Sequence, residues 1–236
     1  MTGVKGARDA QSASQRQWDA LSKKDLAQIG LTSYNSSVYE PADDTFALAD
    51  ALLCALRAWQ GPPPRLCVEV GCGSGYVACS IALLLRAAGC PAHCIAVDVS
   101  EPAVDATRST LAAHSVTSVD VLCSDLVAPL SPRLRGCVDL LVFNPPYVLT
   151  PDSEVTQSGI AAAWAGGPRG RTVIDRLLPH VSELLSANGK FFLVTIADND
   201  PQDLLRGLPA HGLAGREVLR RSADEEALHI LQCWRQ

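Results

Sequence analysis

Apolar and polar positions in this chain alternate between two periods. Short runs dense in Val, Leu and Ile are each followed by a stretch in which apolar residues return every third or fourth position, which predicts strands followed by helices. From Val38, the run Tyr39-Glu40-Pro41-Ala42-Asp43-Asp44-Thr45 reads as an acidic, proline-opened helix start. Phe46, Ala49, Leu52, Leu53 and Leu56 then recur at helical spacing. Gly61-Pro62-Pro63-Pro64 ends that lead-in helix. Strands are expected at Leu66 to Val70, His93 to Val97 and Val119 to Cys123, with helices at about Tyr76 to Ala88 and Pro102 to His114; Ser100 would cap the second helix. A second half follows: strand Val138 to Phe143, a long loop from Val148 to about Gly170, helix Thr172 to Leu185, strand Lys190 to Ile196 and helix Pro201 to Leu208. Two last strands, near Glu217 to Arg220 and Ala227 to Trp234, form a hairpin around Ser222-Ala223-Asp224. The fold class is α/β, a parallel doubly wound sheet ending in an antiparallel strand, with ligands at the carboxyl ends of the strands. Residues 1–33, rich in Gln, Ser and Lys and lacking periodicity, are expected to form a flexible arm with a short helix around Trp18 to Ile29, ahead of one domain over 34–236.

Candidate chemistry gathers at the ends of these strands. After Val138 to Phe143 comes Asn144-Pro145-Pro146-Tyr147. Two prolines hold the preceding Asn and the Pro145 carbonyl in one extended geometry. The Asn144 amide oxygen and that carbonyl could then accept the two N–H bonds of a planar amino group, whose nitrogen is a poor nucleophile, and hold it in line with a methyl group. No strong base is required, and Tyr147 would wall the slot. Asn144 as an ordinary turn residue at a proline-rich strand exit is the alternative.

The first strand leads into Val70-Gly71-Cys72-Gly73-Ser74-Gly75, a turn that suits a nucleoside ligand through close backbone approach and free helix N–H groups. Tyr76 breaks the dinucleotide pattern, which favours S-adenosyl-L-methionine over NAD. Asp98 ends the second strand, where a carboxylate can accept ribose hydroxyls; Asp125 follows the third, where one could receive an adenine amino group. Either could instead be a helix cap or a loop charge. Glu69, between Val68 and Val70, would be an awkward buried charge unless it faces the pocket and a cationic ligand.

Composition narrows the classes. Hydrophobic residues make up 47% and aromatics 5% of 236 residues, so the core is one of Ala, Leu and Val, enough for one domain. The net charge is −5, and the first 33 residues lean basic, so the remainder is more acidic still; this disfavours duplex nucleic acid as the main partner. Nine cysteines, several inside predicted strands, read as reduced thiols, and without a leading hydrophobic segment or a membrane span a cytosolic or nuclear protein is expected. Cys90, His93 and Cys94 lack the second ligand pair of a zinc site, so no metal is expected.

The runs Val38-Tyr39-Glu40-Pro41-Ala42-Asp43-Asp44-Thr45-Phe46, Glu69 to Gly75, Leu141 to Val148 and Ala163-Trp164-Ala165-Gly166-Gly167 resemble the class I methyltransferases of the HemK type. The similarity is specifically to the eukaryotic protein-glutamine N5-methyltransferases that act on the class 1 translation termination factor, and it covers roughly Val38 to Trp234. It implies a seven-stranded fold, S-adenosyl-L-methionine as methyl donor, and the glutamine of a Gly-Gly-Gln tripeptide as acceptor. By position, Thr45, Glu69, Gly71, Asp98, Asp125, Leu126 and Asn144 would line the donor site. It also implies a heterodimer with a small zinc-binding activator protein, which the Val119 to Cys123 edge could receive by strand addition. The chain departs from the family in a longer arm and in Asp43, where the family often has glutamate. Methylation of lysine, of adenine N6 in nucleic acid, and a non-catalytic scaffold are the other readings. Trp164 could wall the acceptor slot or plug the core, and Arg169 and Arg171 could meet an acidic protein surface or be solvated charges.

Overall fold

The computed structural model describes residues 17–90, 92–155, 163–223 and 226–236. Apolar runs become the strands β1 (Leu66–Val70), β2 (His93–Asp98), β3 (Val119–Cys123), β4 (Val138–Phe143), β5 (Leu185–Ile196), β6 (Leu213–Ala223) and β7 (Glu226–Arg235). They form one sheet in the order β3-β2-β1-β4-β5-β7-β6. β1 pairs in parallel with β2 and β4, β2 with β3, and β4 with β5, whereas β7 runs antiparallel to β5 and β6. The strand order reverses between β1 and β4, so the crevice for a ligand opens where Val70 and Phe143 leave the sheet.

The longer periodic stretches become α1 (Asp43–Arg57), α2 (Tyr76–Ala87), α3 (Glu101–Ala113), α4 (Thr172–Leu184) and α5 (Pro201–Gly207). α1 and α2 cover one face through residues such as Leu48, Leu52, Ile81 and Leu84. α4 covers the other with Ile174, Leu177 and Val181, joined by Leu204 of α5. β4 is buried on both faces, which is why its sequence is a nearly unbroken apolar run. Ser100 occupies the N-cap of α3, but its side chain makes no capping bond; its backbone N–H donates to Asp98 instead.

Two expectations about the elements change. β5 begins at Leu185 rather than Lys190, with a register shift against β4 between Val138 and Leu140. β6 runs well beyond Glu217 to Arg220 at both ends; burial alternates along this edge strand, but polar Glu217 and Arg221 fill half-buried positions, so hydropathy does not mark it. The turn expected around Ser222-Ala223-Asp224 lies partly outside the described residues.

The arm expected over residues 1–33 lies outside the described residues up to 16, and from residue 17 it is packed rather than free. Trp18 is 1% exposed and shares a core with Leu21, Leu26 and the apolar faces of α1 and α2. Backbone donors fix it further: the Ala27 N–H to Ser80 Oγ (3.0 Å), Gln28 N–H to His114 Nε2 (2.8 Å) and Ser33 N–H to Thr110 Oγ1 (2.8 Å). Its helix is broken into short turns, including Lys23–Asp25 and Ile29–Leu31. The domain's packing therefore starts well before residue 34.

Candidate active site

A cavity of about 740 Å³ opens at the carboxyl ends of β1, β2 and β4, within the range of small-molecule sites. Glu69, Gly71 and Gly73 of the first strand and its turn, Asp98, Asp125 and Leu126 after the next two, Thr45 of α1, and Asn144, Pro145, Pro146 and Tyr147 after β4 all line it. Gly75 does not. It starts α2 with φ +78°, and a Cβ there would lie 2.8 Å from the Thr107 Cα, so this glycine lets α2 pack against α3 and does not face a ligand.

The part of the cavity at the ends of β1 and β2 carries buried charge. Glu69 is 4% exposed, and its Oε2 has no partner. Burial holds its pKa well above the usual glutamate value, opposed by a backbone bond from Ala78 and reinforced by the nearby Asp98. An orphaned carboxylate oxygen at that depth is a ready partner for a cation. Asp98 accepts the Gly73 N–H and the Ser100 N–H, each at 2.9 Å. Burial raises its pKa while those backbone donors oppose the rise. Asp125 stands at the outer edge in an exposed ion pair with Arg176 (2.6 Å), and Leu126 beside it holds φ at +50°.

The part of the cavity after β4 is organised by a residue whose part sequence reasoning missed. Asp44, at the start of α1 and 3% exposed, accepts Asn144 Nδ2–H at 3.0 Å, the Tyr147 hydroxyl at 2.9 Å and the Tyr39 hydroxyl at 3.3 Å on one carboxylate oxygen. Its other oxygen takes the Thr45 N–H (2.6 Å). A carboxylate only accepts, so it dictates that Asn144 presents its NH₂ to Asp44. The Asn144 Oδ1 is thereby turned away, buried and without a partner. An unpaired buried carbonyl oxygen is costly, and donors from a bound amino group would satisfy it. Asp44 sits in the run Val38 to Phe46, where it read as a helix-start acid; the long-range bond to Asn144 leaves no local signal.

The remaining expectations divide. Trp164 lines the cavity and is 36% exposed, a rim residue rather than a core plug. Arg169 and Arg171 both bond Asp203, at 3.2 and 2.8 Å; Arg169 is a largely exposed, solvated charge, whereas Arg171 is mostly buried and committed to that pair. Cys90, His93 and Cys94 are separately engaged: Cys90 with Gln17 and Ala88, His93 with Asp120, and Cys94 buried.

The sequence of residues 49–208 matches the family model described as Methyltransferase small domain. The chain is 46% identical over 195 residues to Methyltransferase HEMK2 of Mus musculus, spanning 83% of this chain and 88% of that protein. It is 34% identical over 224 residues to the eRF1 methyltransferase catalytic subunit mtq2 of Schizosaccharomyces pombe, spanning 91% of this chain and 96% of the other. Among solved structures it resembles the E. cuniculi Mtq2–Trm112 complex, which is responsible for methylating the eRF1 translation termination factor. That match has a TM-score of 0.62 and 25% identity, covering 85% of this chain and 99% of the matched one.

Proposed function

The chain belongs to the HEMK2 and Mtq2 family of methyltransferases, and on that premise we propose that it moves a methyl group from S-adenosyl-L-methionine to the side-chain nitrogen of a protein glutamine, foremost the glutamine of the Gly-Gly-Gln tripeptide of a class 1 release factor. The observation that carries the acceptor class is the buried, unpaired Asn144 Oδ1, held outward by Asp44. An amide NH₂ has two hydrogens to place. Asn144 Oδ1 takes one and the Pro145 carbonyl the other, which fixes the nitrogen lone pair toward the methyl carbon and favours positive charge as the C–N bond forms. The surplus N–H proton leaves to solvent once the lone pair is committed.

The residues on the donor side fit the proposed cofactor. Glu69, with its orphaned oxygen, would take the cationic amino end, and Asp98, with Gly73 beside it, the ribose. Bound there, the donor supplies a methyl group on a positively charged sulfur. The carboxyl groups of Glu69, Asp98 and Asp44, which line one cavity, would attract that cation.

We further propose that a small zinc-binding activator pairs along β3. That strand is one edge of the sheet; Leu122 on it and Val99 after β2 are 36% and 59% exposed, an apolar edge ready for strand addition. The solved E. cuniculi relative is a two-protein complex, which supports this reading. A chain that is fully active without a partner would count against it.

The test is acceptor competition. The chain, co-expressed with its activator, is given labelled donor and separate release-factor, histone and DNA acceptors, and the labelled residue is located by mass spectrometry. Label on the Gly-Gly-Gln glutamine is expected; label on lysine or adenine alone would replace this reading.

A further inference from the structure

Behind the cavity wall, one buried side chain commits both of its amide hydrogens to the main chain of the segments that carry Tyr147 and Gly170. Asn199, in the turn Ala197–Asn199 that follows β5, is 1% exposed. Its Oδ1 accepts the Ile196 N–H at 2.9 Å. Its Nδ2 faces three main-chain carbonyls: Tyr147 at 2.9 Å, Arg169 at 3.3 Å and Gly170 at 3.4 Å. An amide has two hydrogens, so Tyr147 takes one and the other two carbonyls share the second.

Those carbonyls belong to two different segments, the run that begins at Asn144 and the glycine loop 166–170. The segments are zipped by the Val148 N–H to Trp164 O (3.0 Å), Gly166 N–H to Val148 O (2.8 Å) and Thr150 N–H to Gly167 O (3.0 Å). They lie so close that side chains are excluded. A Cβ on Gly166 would be 2.7 Å from the Pro146 carbonyl oxygen, and one on Gly170, at φ +63°, would overlap both the Tyr147 carbonyl and Asn199 Nδ2. Arg171, bonded to Asp203 at 2.8 Å, ties the loop to α5 just beyond the same turn.

We propose that Asn199 is a positioning residue for methyl transfer, acting through Tyr147 to hold Asn144 and the glycine loop in one register; this rests on the acceptor chemistry assigned to Asn144. Asn199 does not line the cavity, so its part is to position other residues rather than to touch the reacting groups. Its substitution loosens the far end of the Asn144-to-Tyr147 run while leaving Glu69 and Asp98 in place. Displacements of an ångström at a reacting centre are worth about a hundredfold in rate.

The experiment uses the full chain co-expressed with its activator and two variants, Asn199→Ser and Gly170→Ala, which disturb the same contact from opposite sides. Donor affinity is read by calorimetry, transfer to a Gly-Gly-Gln peptide by single-turnover kinetics at saturating donor, and main-chain opening by hydrogen exchange at Val148, Thr150 and Gly166. Donor affinity within about threefold of the parent, a rate constant down about ten- to a hundredfold, and faster exchange at those three amides are expected. An unchanged rate, a loss of donor affinity matching the loss of rate, or unchanged exchange would each overturn the proposal. If Asn199→Ser does not fold, Gly170→Ala decides it alone. If the parent itself transfers nothing to the peptide, the glutamine reading falls, and exchange in the variants still decides whether Asn199 holds the two walls together.

Discussion

Replacing Asp44 by Asn tests the acceptor geometry at its root. The change preserves shape and removes only the charge and the purely accepting character of the side chain. In the parent, one carboxylate oxygen collects Asn144 Nδ2, the Tyr147 hydroxyl and the Tyr39 hydroxyl, and Asn144 has one orientation available. With an amide at position 44, an NH₂ can face Asn144 and invite the opposite orientation, in which Asn144 turns its own NH₂ into the slot. That orientation sets donor against donor when a glutamine amide arrives. A hydrogen bond to a charged group contributes about 1.5–3 kcal/mol, so the productive orientation loses roughly a ten- to 150-fold advantage in rate. The assay is single-turnover transfer to a Gly-Gly-Gln peptide at saturating donor, paired with donor titration by calorimetry. The proposed donor is a cation and Asp44 lines the cavity proposed to hold it, so affinity is expected to fall too, by a smaller factor than the rate constant. A rate constant within about threefold of the parent, or an affinity loss equal to the whole rate loss, would refute the claim that Asp44 works by aiming Asn144.

Four further outcomes follow from the same geometry. Asn144→Ala keeps donor affinity nearly intact while single-turnover transfer falls a hundredfold or more, roughly the 3 kcal/mol of a lost orienting group; loss of donor binding with transfer retained would overturn the assignment. Asp98→Ala weakens the donor in calorimetry, and unchanged affinity would remove Asp98 from the ribose. Glu69 has a folded pKa well above its ordinary 4.5, so the folded chain binds more protons than the unfolded one at intermediate pH, and its contribution is intact below 4.5 and lost as pH rises toward the raised value. Glu69→Gln therefore melts higher than the ligand-free parent at about pH 8 and level with it at about pH 4, and it binds the donor more weakly; a pH-independent difference in melting would sink this. Gly75→Ala, forced to φ +78° and against Thr107, costs about 2 kcal/mol or more, read as a lower urea midpoint at unchanged slope, and an unshifted midpoint would contradict the packing.

The two halves of the site differed in how far they could be read before the structure, and the reason is physical. The half proposed to hold the donor is built at the ends of consecutive strands, where chain order and spatial order agree: Glu69 lies just before the end of β1, Asp98 closes β2 and Asp125 follows β3, and the parallel topology sets them side by side. The acceptor half is built from pairings between distant positions, Asp44 with Asn144 and Asn199 with Tyr147, and no local period or turn rule carries such a pairing. Asp44 has the spacing of a helix-start acid, and Asn199 that of an ordinary turn residue; their hydrogen-bond partners give them their roles. The same holds for Trp18, whose burial depends on α1 and α2 and not on its polar neighbours. Strand-end carboxylates serve any nucleoside donor, and so recur wherever the fold binds one. Holding one planar amide against a methyl group demands that a single oxygen point one way, which here takes a carboxylate brought in from a preceding helix and a second wall locked onto the same short run. Acceptor specificity is therefore expected to fail separately from donor binding, and substitutions at Asp44 and Asn199 are where that separation is largest.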